Sequence, residues 1–572
     1  MITKTQALAL LGASAALALA ACGGSTGAST LIPGTPYTMA SALSTATPIK
    51  HLVVIYGENV SFDHYFATYP NATNPAGEPA FTALAGTPAV DGLSAALLNN
   101  NPNFTNTKNG TDAANPFRLD RTQAFTADQN HAYTAEQQAY DGGAADLFPL
   151  YTGKGTSGGS GAFGTKGQVM GYYDGNTVTA MWNYAQHFAM SDSAYTDTYG
   201  PSTPGALEAI SGQTNGMQIV ATTKSRFTLA AYSYYIADGQ GGYTMINDVD
   251  PGYDTCSSAT DQAMMSGQNI GDLLNTKNIS WGGFMGGFDL GATNANGSTG
   301  CKRSTYSATV ASTVTDYIPH HNWFQYYKST SNPTHARPSS TAAIGHSVEL
   351  DGKTADPANH QYGLNDFVAA VKAGNYPAVS YVKMPAFQDG HAAYSDPLDE
   401  QAGVVQLINF LQQQPDWNST AVLITWDDSD GWYDHKFVSP TNPSFDAQAD
   451  QLNGSGVCGS GTPMGGPNSS GKAVNGRCGP GTRIPFIVIS PWAKANYVSH
   501  VQISQASIVR FIEDNWLGGQ RLGGGSFDAG AGSLTDLFDF SGKGNATPLY
   551  LDPTQGTVLT QPPSGSATPS FL

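Results

Sequence analysis

Charge is what this sequence has least of. Only 12% of its 572 residues are Asp, Glu, Lys or Arg, about half the usual quarter. Cations are the scarcer sign: 25 Lys and Arg stand against 43 Asp and Glu, a formal net charge of −18. That excludes a nucleic-acid binder working through a basic surface. Long apolar runs are missing too. No stretch of 18 or more apolar residues follows the N-terminus, which excludes a polytopic membrane protein. Hydrophobic residues make up 40% and aromatics 10%, too much for a disordered chain. Gly (66) and Pro (33) are abundant but fall short of a low-complexity composition. What is left is a large, acidic, loop-rich globular protein.

Residues 1–22 read MITKTQALALLGASAALALAAC. Lys4 supplies a positive start, and the apolar run over 7–21 is too short to span a bilayer as a mature helix, which fits an export signal. Its end, Leu19-Ala20-Ala21-Cys22, resembles a bacterial lipobox. This implies a lipid on Cys22, attachment to a membrane without a transmembrane helix, and a place in the bacterial cell envelope. Residues 23–47, rich in Gly, Ser, Thr and Pro, then read as a flexible tether. Four cysteines remain. Export makes disulfides plausible, and proximity pairs Cys256 with Cys301 and Cys458 with Cys478. The alternative is a zinc site from all four, without a close Cys-x-x-Cys pair to support it.

Short apolar runs at 51–56 (HLVVIY), 421–426 (AVLITW) and 484–489 (IPFIVI), with a weaker one at 378–384, read as buried strands. Helical periodicity covers 399–414 and 502–517. The expected fold is α/β, with a mostly parallel central sheet covered by helices on both faces. Polar insertions at 71–120, 285–315 and 439–482 decorate a single domain over 48–540. A Pro/Ser/Thr-rich tail follows at 541–572.

Four groups of residues can carry chemistry. Glu58-Asn59 directly follows the first strand, and Asp427-Asp428 directly follows the strand at 421–426. Ligands of open α/β sheets bind beyond the carboxyl ends of the strands, and these oxygen donors suit a hard divalent cation. Adjacent carboxylates also repel unless a cation or proton intervenes. Ser202, in GPSTPGALEAI, sits near a predicted helix start. It reads either as a capping serine or as a nucleophile where backbone N–H groups favour a phosphate. His131, His320, His321 and His391 can donate to phosphate oxygens or protonate a leaving group.

Six blocks in order resemble the bacterial phosphoesterase family that includes acid phosphatases and phosphatidylcholine-type phospholipases C. They are IKHLVVIYGENVSFDHYFATYP (49–70), DQNHAYTAEQQAYDGG (128–143), SDSAYTDTYGPSTPG (191–205), YIPHHNWFQYY (317–327), DGHAAYSDPLDEQ (389–401) and WDDSDGWYDH (426–435). The resemblance implies an alkaline-phosphatase-like sandwich. It implies one divalent metal (calcium, magnesium, manganese or zinc) on Glu58, Asn59, Ser202, Asp427 and Asp428. It also implies Ser202 as nucleophile through a phosphoserine, with His131, His391 and His321 around the phosphate. His321 is preferred to His320 because the family pattern runs His-Asn-Pro-Phe, although Trp323 replaces the Pro here.

The expected function is hydrolysis of a small phosphate ester, first as an acid phosphatase. Phospholipase C acting on a phospholipid head group is the alternative, since the signal lacks Arg-Arg and little chain follows residue 520. A non-catalytic surface lipoprotein is the third reading. No nucleic-acid partner is expected.

Overall fold

Apolar runs that are buried on both sides form the centre of the molecule. The computed structural model describes residues 32, 34–220, 233–252, 254–542, 544–563 and 569–571; Cys22 and the stretch expected to be an export signal lie outside them. The runs expected as strands are β1 (His51–Gly57), β5 (Val379–Lys383), β6 (Thr420–Trp426) and β7 (Arg483–Ile489), each buried along its whole length. They join β2 (Ala189–Tyr195), β3 (Trp281–Met285), β4 (Gln361–Gly363), β8 (Tyr497–Ser499) and β9 (Ile503–Ser504) in one nine-stranded sheet. Its order is β4-β3-β5-β1-β6-β7-β2-β8, with β9 also on β2. Six of its pairings are parallel. The two made by β7 are antiparallel.

Helices lie on both faces. The main ones are α1 (Thr179–His187), α2 (Ser202–Ser211), α3 (Leu364–Lys372), α4 (Pro397–Leu411) and α5 (Ala506–Trp516). Successive strand residues point to opposite faces, and β1 shows the consequence. The Tyr56 hydroxyl donates to the Gly205 carbonyl of α2 at 2.8 Å. Next to it, Gly57 leaves room for Trp426, whose indole N–H donates to Glu400 of α4 at 2.8 Å. So α2 and α4 cover opposite faces. α2 packs with α5, and α4 with α1.

The insertions are tied down. A five-stranded sheet formed from residues 215–265 follows α2. Cys256–Cys301 and Cys458–Cys478 are disulfides, as proximity suggested. The segment expected as a tail has no helix or strand among its described residues, yet it is docked on α4. Leu551 is fully buried, and the Asn409 and Gln412 side chains donate to the Leu551 and Leu549 carbonyls at 2.8 Å. The end of the expected tether docks as well, since Thr47 Oγ1 donates to Asn515 Oδ1 at 2.8 Å. Among the described residues no helix is long and apolar enough to cross a membrane.

Candidate active site at the strand ends

The parallel trio β5-β1-β6 finishes at one edge of the sheet. The register Gly57↔Trp426 brings the next residues, Glu58 and Asp427, side by side. Asn59 adopts a left-handed backbone with φ 63°, which Asn tolerates better than most side chains. Its N–H donates to Asp427 Oδ1 at 3.0 Å. α2 approaches from the side because residue 205 is Gly: a Cβ there would lie 2.0 Å from the Asp427 carbonyl oxygen. Ser202, the first residue of α2, is thereby pressed against the strand ends. Glu58, Asn59, Ser202, Asp427 and Asp428 are all at most 2% exposed.

Ser202 Oγ has three oxygens around it: Glu58 Oε2 at 2.9 Å, Asp428 Oδ2 at 3.1 Å and Asn59 Oδ1 at 3.3 Å. One hydroxyl has one proton, so it satisfies one of them at a time. Asp427 takes a different position. Its Oδ1 also accepts from the Asp428 N–H at 2.9 Å, and its Oδ2 turns to Lys383 at 3.7 Å. Lys383, the last residue of β5, lies against Glu58 Oε1 and is fully buried. Burial alone would lower its pKa, but Glu58, Asp427 and Asp389 raise it above the usual lysine value.

Acid is in surplus here. Burial, then the charge of Asp427, push Glu58 well above the usual carboxylate range. Burial and Asp427 do the same to Asp428 against the pull of His131. Asp389 rises to about 8 and Asp430 to about 7, chiefly by burial. Convergent, buried oxygens with too few protons and cations between them are the donor set that a hard divalent cation completes. The residues present fit such an ion.

The histidines ring this centre. His321 Nδ1 lies 3.1 Å from Glu58 Oε1 and 3.7 Å from Asp389 Oδ2. His320 points away, to Asp250 at 3.5 Å. The structure therefore brings His321, not His320, to the strand ends. His131 Nδ1 lies 3.1 Å from Asp430 Oδ1 and 3.0 Å from the Gln129 carbonyl. Asp428 and Asp430 hold its pKa well above the usual value despite burial. His391 is 6.2 Å from both His131 and His321, centroid to centroid. Burial lowers it to about 4. Its Nδ1 contacts the Ala392 carbonyl at 2.5 Å, so the proton sits on Nδ1 and Nε2 is left as acceptor.

The helix N-terminus is a weaker phosphate cradle than its position in the sequence suggests. The Thr203 N–H is already taken by Asp248 at 2.9 Å, and Pro204 has no N–H. Sequence reasoning also missed four residues. Lys383 and Asp389 face Glu58, and Asp430 orients His131. Glu136 links the segment before Ser202 to the loop after Asp428 by accepting from the Gly200 N–H at 2.9 Å and from Ser429 Oγ at 2.7 Å. Lys383 lies within the run at 378–384 already read as a strand, but nothing in that run marks it as a site residue.

Comparison with known proteins places the chain among phosphoesterases. The chain is 24% identical over 541 residues to a non-hemolytic phospholipase C of Burkholderia pseudomallei, covering 92% of this chain and 64% of that one. It is 22% identical over 537 residues to phospholipase C A of Mycobacterium tuberculosis, covering 90% and 82%. A third match, 28% identical over 216 residues, is to a non-hemolytic phospholipase C of Pseudomonas aeruginosa, covering 35% and 30%. The chain thus spans less than two thirds of the length of the Burkholderia and Pseudomonas relatives. A model of the Phosphoesterase family matches residues 49–517, the span that contains Ser202 and all three strand ends, and the chain belongs to the phosphoesterase family.

Proposed function

We propose that the protein hydrolyses phosphate esters with Ser202 as nucleophile, on an alkaline-phosphatase-like sandwich. The observation that carries this reading is the single Ser202 hydroxyl held among Glu58, Asn59 and Asp428. Glu58, Asn59, Ser202, Asp427 and Asp428 would hold one divalent cation. When bound, it would lower the pKa of the hydroxyl and neutralise charge on a phosphoryl oxygen.

Ser202 Oγ gives its proton to solvent water and attacks phosphorus; an O–P bond forms, the bond to the leaving alcohol breaks, and the serine oxygen regains a proton from solvent when the phosphoserine is later cleaved. His131, with Asp430 behind it, protonates the leaving oxygen. His391, with Nε2 free as acceptor, takes the proton of the incoming water that cleaves the phosphoserine. His321 orients Glu58 and reaches towards the phosphate.

The relatives' names favour a phosphodiester substrate. Phospholipase C activity on a phospholipid head group therefore comes before acid phosphatase activity, the reverse of the order drawn from the missing Arg-Arg and the short C-terminal region. Lipid anchorage through Cys22 would hold the site near its substrate. The test compares p-nitrophenyl phosphate with p-nitrophenyl phosphorylcholine, in wild type and in Ser202→Ala. Wild type should prefer the diester. Ser202→Ala should lose roughly 10³-fold or more in kcat on both. Near-normal turnover by Ser202→Ala would remove the serine mechanism, and a dominant monoesterase would restore the phosphatase reading.

A further inference from the structure

Glu58 divides its two oxygens. Oε2 faces Ser202, and Oε1 faces away, towards Lys383 and His321. Asp427 divides likewise: Oδ1 accepts two backbone N–H groups, and Oδ2 accepts no hydrogen bond and looks at Lys383. Glu58, His321 and Asp389 bring their ligand atoms within 4.8 Å of one another, a mixed oxygen and nitrogen set of the kind that binds a divalent metal. All three are buried. Into this second cradle β5 delivers the ammonium of Lys383, itself buried and flanked by the Tyr56 and Trp323 rings at 5.4 and 5.9 Å.

We propose that Lys383 is a resident cation that fills a second metal-type cradle made by Glu58, Asp389, Asp427 and His321, and so fixes the site as a one-metal centre. The proposal rests on the reading of the Ser202 side as a divalent-cation site. Lys383 touches no reacting atom in this scheme and is a positioning residue. It holds Glu58 with Oε2 turned to Ser202 and supplies, as a side chain on a strand, the positive charge that a second metal ion would otherwise bring. The ammonium is compact and fixed to the scaffold, whereas removing it would leave several buried carboxylate oxygens without a counter-charge.

The test counts metal. Wild type, Lys383→Ala and Lys383→Arg are dialysed to equilibrium against Mn²⁺ and, separately, Zn²⁺, and bound metal per chain is measured by mass spectrometry. Circular dichroism checks that each variant is folded. Wild type should bind one ion, Lys383→Ala two and Lys383→Arg one. One ion in both wild type and a folded Lys383→Ala overturns this inference alone. Two ions in wild type also overturn it. No ion in wild type overturns it together with the metal reading beneath it. Should Lys383→Ala fail to fold, Asp389→Ala is the second probe. It should keep the single ion, because Asp389 belongs to the lysine's cradle, and loss of that ion would overturn the proposal.

Discussion

Two buried clusters of acids are built on residues that follow β1, Glu58 in one and Asp63 in the other, and they differ in how their charges are met. In one, Arg483 donates to Asp63 at 3.0 Å and to Asp434 at 3.1 Å, and its remaining N–H groups reach the Asp91 and Asp192 carbonyls. His435 Nδ1 adds a bond to Asp63 at 2.7 Å. Asp434 Oδ2 accepts the Asp63 N–H, and its Oδ1 accepts the Lys436 N–H. Two cations face two acids, and their carboxylate oxygens are bonded. In the other, Glu58, Asp389, Asp427, Asp428 and Asp430 share Lys383 and His131, and Asp427 Oδ2 accepts no hydrogen bond. Both contain acid and histidine close enough to suggest a metal. Charge balance separates them: the Arg483 cluster is complete as a structural brace, and the Ser202 cluster has acid left over that a cation could meet.

The largest expected effect is on the brace. Arg483→Met leaves Asp63 and Asp434 buried without their main counter-charge, which should cost about 3–5 kcal/mol of stability. Adding Asp63→Asn and Asp434→Asn should recover much of it. Urea unfolding of the single and triple variants measures both. A single variant as stable as wild type would mean that the brace does not contribute as its geometry implies.

A smaller effect follows from pH. Burial works against His435, but Asp63 raises its pKa to about 9. Because the folded value lies above the unfolded one of roughly 6.5, its contribution is fully present below pH 6.5 and fades as pH rises through 9. Asp63 is lowered by His435 and Arg483 against its burial. Its share is present above the ordinary Asp value and is lost only as pH falls through its folded value. The stability gap between wild type and His435→Gln should therefore be on the order of 2 kcal/mol near pH 6 and close by about pH 9.5. A gap independent of pH would show that His435 acts by packing instead.

How much of this was legible in the sequence depends on what each residue needs. HLVVIY, AVLITW and IPFIVI were readable as strands because burial on both faces removes polar residues from the run. The placement of Glu58 and Asp427 at one edge then followed from strand geometry. Pairing the cysteines by proximity worked because each bridge closes a local loop. Lys383 was not legible as a site residue, since a lysine ending a strand reads as a solvated end until β5 is seen beside β1. The docking of residues 549–551 was hidden as well: it depends on Asn409 and Gln412, polar residues on a helix whose apolar stripe had already been assigned to the core. The occupied Thr203 N–H depends on Asp248, 45 residues away, which no local pattern reveals.

The smallest expected effect has the opposite sign to the first, and it is the sharper test of the comparison. Asp428 Oδ1 accepts the Asp430 N–H at 2.6 Å, and Oδ2 lies 3.1 Å from Ser202 Oγ. In Asp428→Asn the amide oxygen keeps the first bond, and the amide N–H₂ donates to the serine oxygen. The substitution removes one of several like charges without opening a cavity. Measured in chelator, Asp428→Asn should be more stable than wild type by about 1 kcal/mol, although its hydrolytic activity falls by roughly 10²-fold or more. The matching change in the brace, Asp434→Asn, should destabilise, because there the acid answers an arginine. If both substitutions destabilise equally in chelator, the Ser202 cluster carries no surplus of acid and the distinction between the two regions fails. If they differ in sign, the strand-end acids are held together at the expense of stability, which is what a site awaiting a cation requires.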